Sequence, residues 1–415
     1  EALLADPGNA LFHLTDPRGA SDKSGRTFNN PYQYFFEQMH MDDAIYADES
    51  IYEYPMQQGG GNDGRPYSFG RPSSGGSKAA YPCKSYGQGR INPAYFYGVF
   101  DPNDMRRDVS ITMTGSNGKG VEKLIPFVPN SKAEGGGLTL NKWDENRQAN
   151  PWVAAQRKSG INGPYMRMSE VYLGYAEVCA ALGDVVTGKQ YLKTVRERSF
   201  PQGLANTDAF IASFGNDLVR AIIEERGFEY AGEGDRRWTL IRSGYLPEDI
   251  KRIKDMTKAM MDGLATKGYY EFENGNIISA YIWTKLVDAK TIYGHRLTAQ
   301  CPTDKVNDPV LYPGWRGQKD NWEEMGLNYG SSTPATNLAI KGLFEIVSEE
   351  EAASLESQGY TKVNWGIDLV DNRDEYDKYL FWDYDYVSAP IYLWPFTPNV
   401  MAAGGFTNGY GFKQE

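Results

Sequence analysis

The segment Ile222-Ile223-Glu224-Glu225-Arg226-Gly227-Phe228-Glu229-Tyr230-Ala231-Gly232-Glu233-Gly234-Asp235-Arg236-Arg237-Trp238 constrains the fold more than any other stretch of the chain. Its spacing predicts a helix that stops at Gly232 and Gly234. Leu218, Ile222, Glu225 and Glu229 then fall on one stripe, because positions four, seven and eleven apart share a helical face. Two carboxylates thus continue a face that begins apolar. An ionised carboxylate is stable there only when paired and hydrogen-bonded, so the stripe calls for cations. Arg226, Arg236, Arg237 and Arg242 are nearest in sequence. Arg236 or Arg237 is expected on Glu225 or Glu229, with Trp238 buried beside them.

Upstream, Met168, Val171, Tyr172, Tyr175, Val178, Cys179 and Leu182 recur at three-and-four spacing, predicting an amphipathic helix that Gly183 stops. Asp184 caps a second helix, whose inner face carries Tyr191, Leu192 and Val195 and which Phe200-Pro201 ends. The pair has the size of one tetratricopeptide-type unit of about 34 residues. A lone unit leaves one face uncovered, so either more repeats precede it or the loop-rich remainder wraps around it.

Three blocks resemble the SusD/RagB family of nutrient-binding outer-membrane lipoproteins. The first is Arg167-Met168-Ser169-Glu170-Val171-Tyr172-Leu173-Gly174-Tyr175-Ala176-Glu177 with Val195-Arg196-Glu197-Arg198. The second is Glu225-Arg226, Glu229 and Glu233-Gly234 leading to Arg237-Trp238 and Leu240-Ile241-Arg242. The third is Ile391-Tyr392-Leu393-Trp394-Pro395-Phe396 with Asn408-Gly409-Tyr410 behind it, where Thr407-Asn408 replaces the family's usual Asn-Pro. The resemblance implies a mainly α fold, a tetratricopeptide-related helical scaffold of SusD type with long loop-rich segments and a few short strands. It implies no catalysis and no cofactor, and a SusC-like TonB-dependent transporter as partner at the cell surface. It also implies a lipidated cysteine and further helix pairs ahead of the region seen here, so the chain reads as a C-terminal portion. The organisation expected is a loop- and aromatic-rich region over 1–164 and a helical region over 165–415 with a loop insertion at 270–340, the two forming one structural unit.

At 415 residues the chain is ample for a large core, and Cys83, Cys179 and Cys301 do not make a disulfide framework. No hydrophobic run approaches the roughly 20 residues needed to span a bilayer as a helix. A formal net charge of −11 argues against nucleic acid as a ligand. Strands are expected at Asp48–Met56, at Val109–Thr114, near Leu124–Val128 and over Tyr269–Val287. Helices are expected at Glu248–Leu264 and Gly342–Tyr360. Gly115–Gly120 lacks the Ser or Thr and the spacing of a phosphate loop and reads as a hairpin turn.

Glu225 and Glu229 have the spacing of a glycosidase acid and nucleophile, since residues four apart on a helix reach the separation of about 5–9 Å that such pairs use. This supports an alternative reading as a secreted helical glycoside hydrolase. Against it, neighbouring arginines hold both groups ionised, whereas a general acid needs its pKa raised. Glu177 with Arg196 reads as structural for the same reason. A purely structural lid or assembly subunit is a third class. Metal is not expected: His13, His40 and His295 are isolated, and Asp101, Asn103 and Asp108 lack the glycine and terminal glutamate of a calcium loop. Cys179 reads as a small buried hydrophobe, and Asp371–Asp385 as a solvated acidic face.

Rings in loops are the remaining chemistry. An exposed ring keeps its apolar faces in water unless something covers them, and a planar ring matches the apolar face of a sugar or the side chains of a peptide, so an oligosaccharide or a peptide is the expected ligand. The resemblance implies sugar-stacking rings upstream of the paired helices, so the long loop from Arg65 to Tyr97 is the first expected ligand site, through Tyr67, Tyr81 and Tyr86 with Arg65, Arg71 and Asn62 as polar partners. The stretch from Tyr293 to Tyr329, with Tyr312, Trp315 and Trp322, is the competing one.

Overall fold

The computed structural model describes residues 2–5, 36, 49–57, 69–72, 85–116, 122–127, 137–143, 159–200, 203–288, 336–374 and 397–405. The elements, in chain order, are α1 (Ala2–Ala5), β1 (Ser50–Tyr54), a π-helical turn at Tyr95–Val99, α2 (Arg106–Ser110), β2 (Ile111–Thr112), β3 (Thr114–Ser116), β4 (Glu122–Leu124), β5 (Thr139–Leu140) and β6 (Gly163–Arg167). The helical half follows with α3 (Met168–Ala181), α4 (Val185–Glu197), α5 (Thr207–Ala212), α6 (Leu218–Glu229), α7 (Asp235–Ser243) and α8 (Leu246–Lys267). After it come β7 (Tyr269–Glu271), β8 (Ile277–Ser279), β9 (Tyr281–Asp288), β10 (Thr336–Lys341), α9 (Glu349–Ser357), β11 (Thr361–Asn364), α10 (Gly366–Asp371) and α11 (Pro398–Gly404). The architecture is mainly helical, with short antiparallel sheets at its margins.

Helix α6 is the hub. Leu218 and every residue from Arg220 to Glu229 are buried, so this helix has no solvent face. Asp217 caps its start by accepting from the Arg220 N–H at 3.0 Å. Gly232 and Gly234, at φ of 84° and 97°, turn the chain into α7, a conformation that costs glycine little. The α3–α4 hairpin lies against α6 through Leu173, Ala176, Leu192, Val195, Leu218 and Ile222. Gly183, at φ 89°, makes its turn, and Asp184 caps α4 by accepting from the Thr187 N–H. Gly188 lets the pair close up: a Cβ there would stand 2.9 Å from the Ala176 carbonyl oxygen.

The face that α3 buries differs from the expected one. Leu173, Ala176 and Cys179 point inward, while Val178 and Leu182 are exposed. Arg167 and Ser169 are pinned in the interior at the helix's first turn, and this sets the rotation of all that follows. Helix α4 ends at Glu197, short of Phe200, and Cys179 is buried as expected.

Several strand and helix expectations shift. Val109 and Ser110 belong to α2, because the Asp104 carboxylate accepts from the Arg106 N–H at 3.0 Å and draws the chain into a helical turn. Strands β2 and β3 follow only from Ile111. β4 covers Glu122–Leu124 and pairs antiparallel with β3, flanking the stretch read as a hairpin turn. Tyr269–Val287 is three strands, broken at Asn274-Gly275, where Gly275 takes φ 83°. The helix expected over Gly342–Tyr360 is only Glu349–Ser357: Gly342 sits at φ 79°, and the Ser348 side chain caps the start by accepting from the Glu351 N–H. Helix α8 runs beyond its expected ends, from Leu246 to Lys267.

The largest apolar cluster joins Phe96, Tyr97, Phe100, Ile111 and Met113 to Phe228, Met260, Leu264, Ile282, Ile340 and Trp365. Residues on both sides of position 164 therefore share one core. The closing block Ile391–Phe396, most of Asp371–Asp385, and His13, His40 and His295 lie outside the described residues.

Candidate functional site

The carboxylates of α6 sit in an ionic knot drawn from six segments of the chain. Glu225 accepts from Arg106 Nη1 at 2.6 Å and from Arg196 Nη1 at 2.9 Å. Glu229 accepts from Arg167 Nη1 at 2.5 Å, from Arg106 Nη1 at 3.2 Å and from Arg198. Asp104 chelates Arg106, Glu49 binds Arg167 at 2.8 Å and Arg198 at 2.5 Å, and Glu233 binds both Arg167 and Lys142. Among the described residues, five cations (Arg106, Lys142, Arg167, Arg196, Arg198) face five carboxylates (Glu49, Asp104, Glu225, Glu229, Glu233) in this knot, so their formal charges cancel.

Burial opposes ionisation of Glu229, yet the guanidiniums of Arg198, Arg167 and Arg106 override it and hold the carboxyl well below the usual range. Glu233 is likewise lowered, burial being outweighed by Arg167 and Lys142. Burial pushes the Lys142 ammonium down to about 8, with Glu233 offsetting only part of that. A general acid requires the opposite shift. Glu225 and Glu229 are fully buried and closed over by arginines, so their geometry is that of a structural knot.

The cations expected on this stripe are elsewhere. Arg236 donates to Glu224 at 2.8 Å and to Asp249 at 2.9 Å, with Arg252 on the same two carboxylates. The reason is the helical wheel: α7 and α8 pack on the side of α6 that carries Ile223, Glu224 and Gly227, and Arg236 lies directly over Gly227, whose missing Cβ makes room for it. Burial opposes ionisation of Glu224 too, but Arg236 and Arg252 bring it down to about 2. Arg237 is half-buried. Trp238 is 53% exposed, because Thr239 and Leu240 take the inner side of α7. Glu177 pairs with Arg242 at the surface and Arg196 with Glu225, so the expected Glu177–Arg196 pairing is replaced.

Of the ligand residues expected from sequence, Arg71 and Tyr86 are described. Arg71 is 1% exposed and donates from Nη2 to Thr114 Oγ1 at 3.3 Å, so its guanidinium is turned inward. Tyr86 is half-buried. Asn62, Arg65, Tyr67, Tyr81, Trp315 and Trp322 lie outside the described residues. Among the described residues, no group of His, Cys, Asp or Glu is placed to hold a metal, and no helix is long and apolar enough to cross a membrane.

Sequence reasoning did not single out three of the exposed rings as a ligand site. Tyr52, Tyr54 and Tyr165 are 57%, 51% and 70% exposed on the two-stranded β1–β6 sheet. Tyr52 and Tyr165 meet edge to face with centroids 5.6 Å apart. The alternation Tyr52-Glu53-Tyr54 was the signal available, since alternate strand positions share a face.

SusD-like protein P25 of Formosa agariphila is 28% identical over 160 residues, covering 38% of this chain and 26% of that protein. A SusD homolog from Bacteroides thetaiotaomicron is 17% identical with a TM-score of 0.38, over 58% of this chain and 49% of that one. Surface glycan-binding protein A from the same organism, in complex with laminarihexaose, is 17% identical with a TM-score of 0.37, over 60% and 49% of the two chains. The chain thus spans about a quarter of the curated relative's length and about half of these solved structures. Residues 12–395 match the SusD family, and the chain belongs to that family.

Proposed function

We propose that this protein captures a glycan, or a comparable nutrient oligomer, at the outer-membrane surface and passes it to a SusC-like TonB-dependent transporter, without turning the ligand over. Membership of the SusD family over residues 12–395 carries this reading. One similar solved structure is described as a surface glycan-binding protein in complex with laminarihexaose. The closed knot around Glu225 and Glu229 supports the absence of catalysis, because neither carboxylate reaches solvent. The loop from Arg65 to Tyr97 is the proposed ligand segment, with Tyr67, Tyr81 and Tyr86 as stacking rings and Asn62 and Arg65 beside them. Tyr312, Trp315 and Trp322 form the competing set.

Calorimetry of a hexaose panel against the alanine triples Tyr67/Tyr81/Tyr86 and Tyr312/Trp315/Trp322 tests the segment: loss in the first supports it, and loss in the second alone moves the site. Incubation with a polysaccharide panel tests catalysis. Turnover that Glu225→Gln abolishes would overturn the binding-only reading. Gentle extraction of the full-length protein should bring a barrel protein with it, and recovery of the protein alone would count against the transporter.

A further inference from the structure

We propose that Tyr52, Tyr54 and Tyr165 form a second sugar-stacking platform, on the β1–β6 sheet, that takes a neutral oligosaccharide. The inference rests on the glycan-binding reading above and adds a site away from the 65–97 loop. The register of the sheet explains how three rings come to one face. Tyr52 stands opposite Met166 and Glu53 opposite Pro164, so Tyr165 is an extra, bulged residue between those pairs. A bulge re-aims the residue it inserts, and this one brings the Tyr165 ring against the edge of Tyr52. Tyr54 is two residues on from Tyr52 and shares its face. It stands opposite Gly163, which has no side chain to cover the ring.

The platform is held rigidly at its base. Glu49 immediately precedes β1, Arg167 is the last residue of β6, and the two are joined by a buried ion pair at 2.8 Å. At the other end, the Asn162 side chain accepts from the Met56 N–H at 2.9 Å and donates to Glu53 at 3.0 Å. A backbone fixed in place before binding leaves only side-chain freedom to be lost when a ligand covers the rings.

The chemistry favours a neutral sugar. Three phenyl faces offer stacking surface and three phenol hydroxyls offer both donors and acceptors, while Glu53, the one charged residue within β1, alternates to the other face. The sheet is two strands of five residues each, whereas a stable protein partner needs about 800 Å² and roughly 20–30 residues on this side.

The test uses the full chain with laminarihexaose, maltohexaose, cellohexaose and xylohexaose as probes in calorimetry. The wild type is expected to bind at least one of them. The alanine triple Tyr52/Tyr54/Tyr165 should weaken that hexaose about tenfold or more, and the phenylalanine triple should stay within about threefold, since stacking needs the ring more than the hydroxyl. Melting temperatures guard against misfolding, and the single variant Tyr165→Ala, at the most exposed ring, replaces the triple if the triple melts early. Unchanged affinity in the alanine variants overturns the platform while leaving glycan capture standing, and gives this face to a protein contact instead. A wild type that binds none of the four overturns both.

Discussion

Replacing Glu229 by alanine removes one of the five carboxylates of the knot and leaves five cations against four. Arg167, Arg198 and Arg106 each lose a bond to Glu229, although Arg167 Nη2 keeps the Glu229 main-chain carbonyl at 2.9 Å. No water reaches the site to screen the surplus charge, because the three guanidiniums are buried. Breaking a buried pair in this way typically costs about 3–5 kcal/mol, a large share of the roughly 5–15 kcal/mol that holds a folded domain together. The melting temperature should fall on the order of 10 °C, followed by circular dichroism. Glu177→Ala is the control: it breaks a pair whose arginine is 47% exposed, and such pairs contribute about 1 kcal/mol or less. Glycan affinity measured below the transition should be unchanged in Glu229→Ala, since Glu49 still ties Arg167 and Arg198 together. A variant that melts with the wild type but has lost its ligand would refute the structural assignment.

Acid should act on the same groups. Glu224, Glu229 and Glu233 have folded pKa values below their ordinary ones, so their contribution is complete above about pH 4.5 and is lost as the pH falls through the folded values. For Glu224, brought down to about 2, that loss is on the order of 3 kcal/mol. Urea midpoints should hold steady from pH 7 to 5 and then drop, and a midpoint unchanged down to pH 3 would contradict this. Gly188→Ala should cost about 1–3 kcal/mol, because its Cβ meets the Ala176 carbonyl oxygen at 2.9 Å and α3 must move away, which urea unfolding will register. Glu49→Gln frees the base of the β1–β6 sheet from Arg167 and Arg198, so melting temperature and hexaose affinity should fall together in calorimetry.

What was legible in the sequence follows the range of the interaction. The stripe Leu218, Ile222, Glu225 and Glu229 was readable because helical periodicity is local, and so were the Asp184 cap and the Gly183 turn. The partners of the stripe were not. Arg106 lies 119 residues from Glu225, and Arg167 lies 118 from Glu49, distances over which spacing carries no signal. Arg236 or Arg237, just past the helix, was the natural guess, and it failed because α7 packs on the Glu224 side of the helix. Trp238 misled in the same way: a large ring beside buried charges reads as core, but its helical phase turns it outward. Burial of α3 was misread by a few positions, since a pinned first turn outweighs the average direction of the apolar residues. The free tyrosines were missed because nothing in a strand pattern tells an aromatic that faces the core from one that faces water.

The knot and the exposed rings belong to one construction. Strand β1 leaves the interior one residue after Glu49, and β6 returns to it at Arg167. The sheet is therefore tied at this end to a buried ion pair. A two-stranded sheet alone is only marginally stable in water, and its few ladder bonds would not hold its backbone against bending. Anchoring both strands in an interior of cancelling charges does so without covering the outer face with apolar side chains. This explains how the protein keeps Tyr52, Tyr54 and Tyr165 exposed and yet ordered. An apolar anchor of equal volume would hold the sheet as firmly, but the ionic one also sets direction. The Arg167 side chain grips Glu233 through Nε and Nη2 while Nη1 reaches Glu49, which only a narrow range of backbone positions allows, and that range fixes where the strand carrying Tyr165 stands.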